Sequence, residues 1–312
     1  MPATIGHVKK VLDYLKEKGE QETLNFFNIK KDTLERYKRR MKHHGDAPIV
    51  VKTTRIPKVL LLDIETTPMI ATVWGTFKQR IGHEQVQQDW FMLSYSAKWL
   101  FEAEMFSSVL TPAEVLAKDD KRIATELWEL VDKADVISGH NIKGFDLPKM
   151  QTRWILNGLP PVSPFQLIDT LDVARKNFRF ASNKLDYIGQ LIRNEGKIHT
   201  EYQLWLRCLK GDPKSLNEML VYNEEDVRLL EDAFVFLRPY FKSSPNMAIY
   251  QESTEPSCPT CGSTNIKDCG HYVTSVNRFL AFRCLDCGAI CRSRSTDVTV
   301  KQKRGILAPT AR

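Results

Sequence analysis

The sequence predicts an α/β core with a small helical module ahead of it and a cysteine-knuckle ribbon behind it, on three observations. Short apolar runs alternate with amphipathic helical patterns through the middle of the 312 residues, as in a sheet layered with helices. Three short amphipathic segments rich in Lys and Arg precede them. Two Cys-x-x-Cys pairs, Cys258 with Cys261 and Cys284 with Cys287, follow them with 22 residues between the pairs, which is zinc-ribbon spacing.

In chain order, HVKKVLDYLKEK places Val8, Val11, Leu12 and Leu15 on one stripe, and QETLNFF follows a break at Gly19. KKDTLERYKRRMKHH sets Leu34, Tyr37 and Met41 on one face and Lys30, Lys31, Arg36, Lys38, Arg39, Arg40 and Lys42 outward. Residues 1–47 therefore read as a helix-turn-helix-like module whose last helix suits a nucleic-acid groove, although tri-helical modules also bind proteins. Gly45 to Pro57 reads as a linker.

The core begins with Val59 to Leu62, a buried strand whose period of two puts Asp63 and Glu65 on one face. Two carboxylates that close favour either a raised proton affinity or a hard cation such as Mg²⁺ or Mn²⁺; a solvated strand end is the plainer alternative. Phe91 to Leu100 and Met105 to Leu110 read as strands that extend the sheet. Trp74, Phe77 and Trp90 are candidates for stacking unpaired bases, with packing the more ordinary use. Asp135 to His140 reads as a further strand, followed by a glycine turn and a helix that starts near Asp146; alone, Asp146 is most economically an N-cap. LNEMLVYNEEDVRLLEDAFVFLRPYF has the apolar spacing of a long amphipathic helix, with Tyr222 and Asp226 one turn apart on one face.

KSSPNMAIYQESTEPS reads as a second linker. Beyond it each cysteine knuckle ends in Gly, which allows the tight turn that aims two thiolates at one ion, and RFLAF reads as a strand. Four thiolates leave no open position, so the zinc is expected to be structural and the ribbon, over residues 258–297, to be a nucleic-acid or protein clamp. Cys269, His271 and Cys291 are spare potential ligands, and Cys208 lies apart in a helix.

The net charge of +7 is unevenly spread: residues 1–47 carry 11 basic and 7 acidic side chains, and residues 258–312 carry 9 and 3. The middle is slightly acidic, so the appendages are expected to supply much of any attraction to phosphate. No apolar stretch approaches the roughly 20 residues needed to span a bilayer, and the N-terminus lacks the pattern of a signal peptide. These features predict an intracellular protein with no membrane partner.

Taken together, DIE at Asp63 to Glu65, NIKGFD at Asn141 to Asp146 and YNEED at Tyr222 to Asp226 resemble the three motifs of the DEDD superfamily of 3′ to 5′ exonucleases, in its tyrosine branch. The proofreading exonuclease domains of DNA polymerases belong to that branch. FQLIDTLDVARK and NKLDYIGQLI also look like family segments, and the likeness runs over about residues 58 to 240. It implies a ribonuclease-H-like mixed sheet over residues 58–243. It also implies release of nucleoside 5′-monophosphates from single-stranded 3′ ends, with DNA the favoured substrate.

By the same resemblance Asp63, Glu65 and Asp226 would hold one divalent ion and Asp63 would bridge to a second, with Asp146 acting through water. Two ions about 3.5–4 Å apart stabilise the attacking and leaving oxygens of an in-line displacement, and Mg²⁺ or Mn²⁺ suits an all-oxygen site. Tyr222 would orient the attacking water, while Thr66, Asn141 and Phe145 would line the pocket for the terminal nucleotide. No polymerase motif follows in the sequence, so a polymerase or other replication or repair protein would be a partner in trans. Two alternatives stay open: a transposase or integrase whose catalytic set ends in Glu224 or Glu225, and a non-catalytic nucleic-acid-binding regulator.

Overall fold

Three amphipathic segments at the start of the chain form helices α1 (Ile5–Lys18), α2 (Glu20–Phe26) and α3 (Lys31–His43). Gly19, at φ +81°, makes the break between the first two. Val11, Leu34 and Tyr37 are buried together, with Leu12, Leu15, Leu24, Phe27 and Ile29 packed around them, so the stripes read from the sequence meet. Lys31 and Lys38 pair with Glu20 at 3.1 and 3.6 Å, which ties down part of the basic face. The computed structural model describes residues 5–43, 56–193, 201–242, 244–251, 255–307 and 310. The side chains of Val8, Arg36, Arg39, Arg40, Met41 and Lys42, and most of the Gly45 to Pro57 linker, lie outside the described residues.

These helices belong to one compact unit, residues 1–53, and all that follows belongs to a second, residues 54–312. The second unit is built on β1 (Val59–Thr66), followed by a short pair, β2 (Ile70–Ala71) and β3 (Val86–Gln88), then β4 (Met92–Trp99), β5 (Phe106–Val109), α4 (Pro112–Ala117) and α5 (Lys121–Val131). Next come β6 (Val136–Gly139), α6 (Asp146–Leu156), β7 (Gln166–Asp169), α7 (Thr170–Asn177), α8 (Leu185–Arg193), α9 (Tyr202–Cys208) and the long α10 (Pro213–Leu237). The ribbon follows as β8 (Ile266–Val273), β9 (Arg278–Cys284) and β10 (Ile290–Arg292), and α11 (Val300–Gly305) closes the series.

The main sheet has the order β5-β4-β1-β6-β7. β4 runs antiparallel to β1 and β5, while β6 is parallel to both β1 and β7. β1 is buried on both faces because helices cover both. Leu60, Leu62 and Ile64 enter one core with residues of α5, α6 and α9. Val59 and Leu61 enter the other with Val227, Leu230 and Phe234 of α10. Among the described residues no helix is long and apolar enough to cross a membrane.

Two sequence expectations change here. Trp74 and Phe77 are 99% and 78% exposed, not packed, because the segment that carries them forms only the short β2–β3 pair off the main sheet. The stretch from Lys242 to Ser257, read as a linker, is partly anchored. Met247 is buried among Val59, Leu61 and Phe234, and its N–H donates to Pro259 O at 2.7 Å. The composition of that stretch is polar, but one apolar side chain of this size is enough to hold it down.

Asp120 is the main polar tie within this unit. It is fully buried at the start of α5 and accepts from Met92 N at 2.8 Å, Arg153 Nε at 2.5 Å and Nη2 at 2.8 Å, and Asn157 Nδ2 at 2.9 Å. Replacing Asp120 with Ala strands the largely buried Arg153 charge and the Met92 N–H. The expected cost is about 3–5 kcal/mol, read as a fall in the urea midpoint; a loss below about 1 kcal/mol would show that water replaces the carboxylate.

Candidate active site

The carboxylates meet where the sheet opens. β6 pairs with β1 only from Val59 to Leu61, while β1 continues to Thr66 against β4 alone. Beyond Leu61 one edge of a buried strand is left without a neighbouring strand, and its backbone donors still need acceptors. Asp146, the first residue of α6, supplies one: its Oδ1 accepts from Ile64 N at 3.1 Å. Asp146 is therefore not the N-cap that its context suggested; Phe145 holds that position. Burial raises the Asp146 carboxyl to about 7 and nearby Asp169 pushes the same way, against the pull of the Ile64 N–H and Lys149.

Asp63 and Glu65 continue the β1 face on which Val59 and Leu61 pack against α10. Asp226 lies on α10 beside buried Val227. The result is a cluster in which one carboxylate oxygen each from Asp63, Glu65 and Asp226 lie within 4.8 Å of one another. All the donors are oxygens, which fits a hard divalent cation. Asp146 is not in that mutual set and adjoins it through Ile64. Glu224 and Glu225 also lie outside it: Glu224 accepts from Ser107 Oγ at 2.6 Å and Arg228 Nη2 at 2.9 Å, and Glu225 pairs with Arg193.

Asn223 was missed by the sequence reading. It is fully buried, its Nδ2 donates to Asp63 Oδ2 at 2.7 Å, and its Oδ1 accepts from Ser94 Oγ at 3.3 Å. The chain Ser94–Asn223–Asp63 fixes one oxygen of the β1 carboxylate. The available signal was a polar residue between two apolar-face positions of a long helix, directly after Tyr222.

The loop between β6 and α6 is held by a second overlooked group, Asp169. Its buried carboxylate accepts from Asn141 N at 3.0 Å, Lys143 N at 3.2 Å and Leu171 N at 3.0 Å. This holds Asn141 at φ +70°, a left-handed conformation that Asn tolerates. Asn141 is exposed and Phe145 is 37% exposed, so Phe145 is a surface ring, not core.

A cleft of about 700 Å³ adjoins these carboxylates, lined by Thr66, Thr67, Trp90, Lys149, Tyr202 and Trp205 among others. Thr66 follows Glu65 directly, and Lys149 sits one helical turn after Asp146. Lys149 Nζ donates to Thr66 Oγ1 at 2.9 Å and lies 4.0 Å from the centre of the Trp90 ring and 4.8 Å from that of Phe145. Burial lowers its proton affinity, against Asp89, Asp146 and Glu65. Trp205 meets Tyr222 edge-on with ring centres 6.1 Å apart. The residues that line the cleft thus neighbour all three motif segments, Thr66 after Glu65, Lys149 beside Phe145 and Trp205 against Tyr222; Lys149, the cation among its described lining residues, was not read from the sequence.

The four knuckle cysteines form the second candidate metal group, all within 4.8 Å of one another. The Sγ separations of 3.7 Å for Cys258–Cys287 and 3.5 Å for Cys261–Cys284 are close to the edge of a tetrahedron with Zn–S bonds near 2.3 Å, about 3.8 Å. Gly262 and Gly288 close the knuckles at φ +79° and +76°, and each N–H returns to the first cysteine's carbonyl, at 2.8 and 3.0 Å. Cys269, His271 and Cys291 are not in the group. His271 faces Asp297 at 3.5 Å, and Cys291 Sγ donates to Phe282 O at 3.6 Å.

The RNase_H_2 family profile, described as RNase_H superfamily, matches residues 60–236. No curated protein matches the chain. Among solved structures, the family B DNA polymerase from the hyperthermophilic archaeon Pyrobaculum calidifontis is similar at 18% identity and a TM-score of 0.45, over 59% of this chain and 25% of that one. The chain thus spans about a quarter of that polymerase.

Two outcomes are expected from this geometry. Asn223→Ala should weaken Mn²⁺ binding about 10- to 100-fold in calorimetric titration, because Asp63 loses the donor that orients it; unchanged affinity would make the contact a packing detail. The purified protein should carry one zinc per chain by elemental analysis. Paired Cys→Ser changes at either knuckle should release it and unfold the ribbon, and zinc-free protein with a folded ribbon would refute the site.

Proposed function

We propose that this chain, which belongs to the RNase H superfamily, is a metal-dependent 3′ to 5′ exonuclease that releases nucleoside 5′-monophosphates from single-stranded nucleic acid, DNA in the first instance. Its mixed five-stranded sheet is the ribonuclease-H-like core. The observation that carries the reading is the convergence of Asp63, Glu65 and Asp226 from β1 and α10. In this reading residues 58–243 are the nuclease, and residues 1–47 and 258–297 are appendages that bring cationic surface to it.

Asp63, Glu65 and Asp226 would hold the catalytic ions, with Asp146 set beside them by its bond to Ile64 N. Two divalent ions bound there would supply a hydroxide nucleophile near neutral pH and stabilise charge on the leaving oxygen. Tyr222, one turn before Asp226 and braced by Trp205, would orient the attacking water. The adjoining cleft would receive the terminal nucleoside: Trp90 and Trp205 offer ring faces for a base. Lys149, at the polar side of the same cleft, would hold the phosphodiester by a charge-assisted contact. Asn141, which is exposed, and Phe145, packed against Lys149, would border the same terminal nucleotide.

The engagement of Glu224 and Glu225 by Ser107, Arg228 and Arg193 disfavours a transposase-like set ending in Glu. The four acids and an open cleft beside them disfavour a non-catalytic regulator.

The test is an end-labelled single-stranded oligonucleotide with Mg²⁺. Stepwise shortening from the 3′ end is expected, and Asp63→Ala or Asp226→Ala should abolish it while zinc content and fold persist. Tyr222→Phe should slow cleavage about 10- to 1,000-fold with little change in metal affinity. Near-normal turnover by Asp63→Ala, or joining of strands in place of shortening, would overturn the proposal.

A further inference from the structure

One face of the ribbon sheet carries three exposed cations and an exposed tyrosine. β9 places Phe279, Ala281 and Arg283 on one side, and register sets Tyr272 opposite Phe279, Arg292 opposite Ala281, and both Lys267 and Ile290 opposite Arg283. Residues directly opposite in adjacent strands share a face. Lys267 and Tyr272 are five apart, so a regular strand would send them to opposite sides. The irregularity between Asp268 and His271, with Gly270 at φ +97°, inserts the extra residue that brings both to the same side.

On that face Arg292 lies 4.0 Å from the centre of the Phe279 ring and 5.3 Å from that of Tyr272. Tyr272 is 51% exposed, and Lys267, Arg283 and Arg292 are exposed. Among the described residues none of these three cations is in an ion pair. The ribbon's acids are engaged elsewhere: Asp286 with Ser263 and Asn265, Asp297 with Arg278 and His271, and Asp268 with the N–H of Gly270. Among the described residues the face thus carries three cations beside one exposed ring, Tyr272, with Phe279 buried beneath Arg292, and no carboxylate.

We propose that this face, formed by Lys267, Tyr272, Phe279, Arg283 and Arg292, binds single-stranded nucleic acid. Phosphates would meet Lys267, Arg283 and Arg292, and a base would stack on the Tyr272 and Arg292 surface. A nucleic-acid strand uses both features at every step, since each nucleotide offers one negative charge and one π-face, whereas a run of acidic side chains would use the cations and leave Tyr272 idle. The inference does not depend on the nuclease reading, because it concerns binding and not cleavage.

The full chain is titrated with a labelled oligothymidylate at a series of KCl concentrations, without added Mg²⁺ or Mn²⁺. The variant K267Q/R283Q/R292Q should flatten the plot of log affinity against log salt by about 2, because each phosphate that a cation neutralises on a single strand adds roughly 0.7 to the slope. The matched variant K301Q/K303Q/R304Q, which removes the same charge from α11, should change the slope by less than half as much. Tyr272→Ala should lower affinity at least about fivefold with the slope unchanged. All variants should retain one zinc per chain and the wild-type circular dichroism spectrum. Equal slope losses in the two triple variants, or wild-type affinity in both Tyr272→Ala and K267Q/R283Q/R292Q, would overturn the proposal; so would displacement of the strand by polyglutamate from wild type and Tyr272→Ala alike, which would point to a protein partner. None of these failures would bear on cleavage at Asp63.

Discussion

Three carboxylates with oxygens within 4.8 Å of one another repel by about 4 kcal/mol per pair at 4 Å in a surface-like dielectric. A bound divalent cation would offset that repulsion, and much of this core is arranged to hold the three groups together. β1 is clamped between two strands and two helical layers over Val59 to Leu61, so its end cannot swing away to relieve the repulsion. Asn223 fixes an oxygen of Asp63, and Asp146 fixes the backbone between Asp63 and Glu65. The rigidity of the strand, the depth of α10 and the divergence of β6 all serve one locus of negative charge.

That locus explains the rest of the cleft. Lys149 is half-buried and packed against Trp90 and Phe145, a costly place for an ammonium that Asp89, Asp146 and Glu65 offset. The aromatic walls make the cleft largely apolar. The positions of Trp90 on the approach to β4, Trp205 on α9 and Lys149 on α6 come from three separate segments. Only the packing of those segments around β1 brings them together.

The ribbon follows a different logic. Its core is little more than Cys258, Cys284 and Ala289, with Cys261, Ile266 and Cys287 beside them, too small to stabilise a fold by apolar burial alone. Thiolate–metal bonds at the four cysteines would supply the missing stability. Its attachment to the core through Met247 and Pro259 keeps the sheet face of Tyr272 and Arg292 from being a freely tethered bead.

Much of this was legible in the sequence because it depends on local periodicity. The strand at Val59, the helix carrying Tyr222 and Asp226, and the knuckles with their closing glycines follow from periods of 2 and 3.6 and from turn chemistry, and all three are present. The three-motif resemblance added the expectation that separated acids share a site, and Asp63, Glu65 and Asp226 do meet. What the sequence could not supply were relations across long separations. Asn223 looks like an ordinary helix residue until β4 and β1 are laid beside it, and Asp169 like a helix cap until the Asn141 loop folds over it. Lys149 is one of 45 basic residues until Thr66 and Trp90 surround it. Even the side to which Lys267 points depends on an irregularity at Gly270 that strand periodicity does not encode. Sequence by itself determined which chemistry is present and on which elements; tertiary structure decided which groups touch, because contact depends on register, strand divergence and the helix packing that closes loops of up to 160 residues between Asp63 and Asn223.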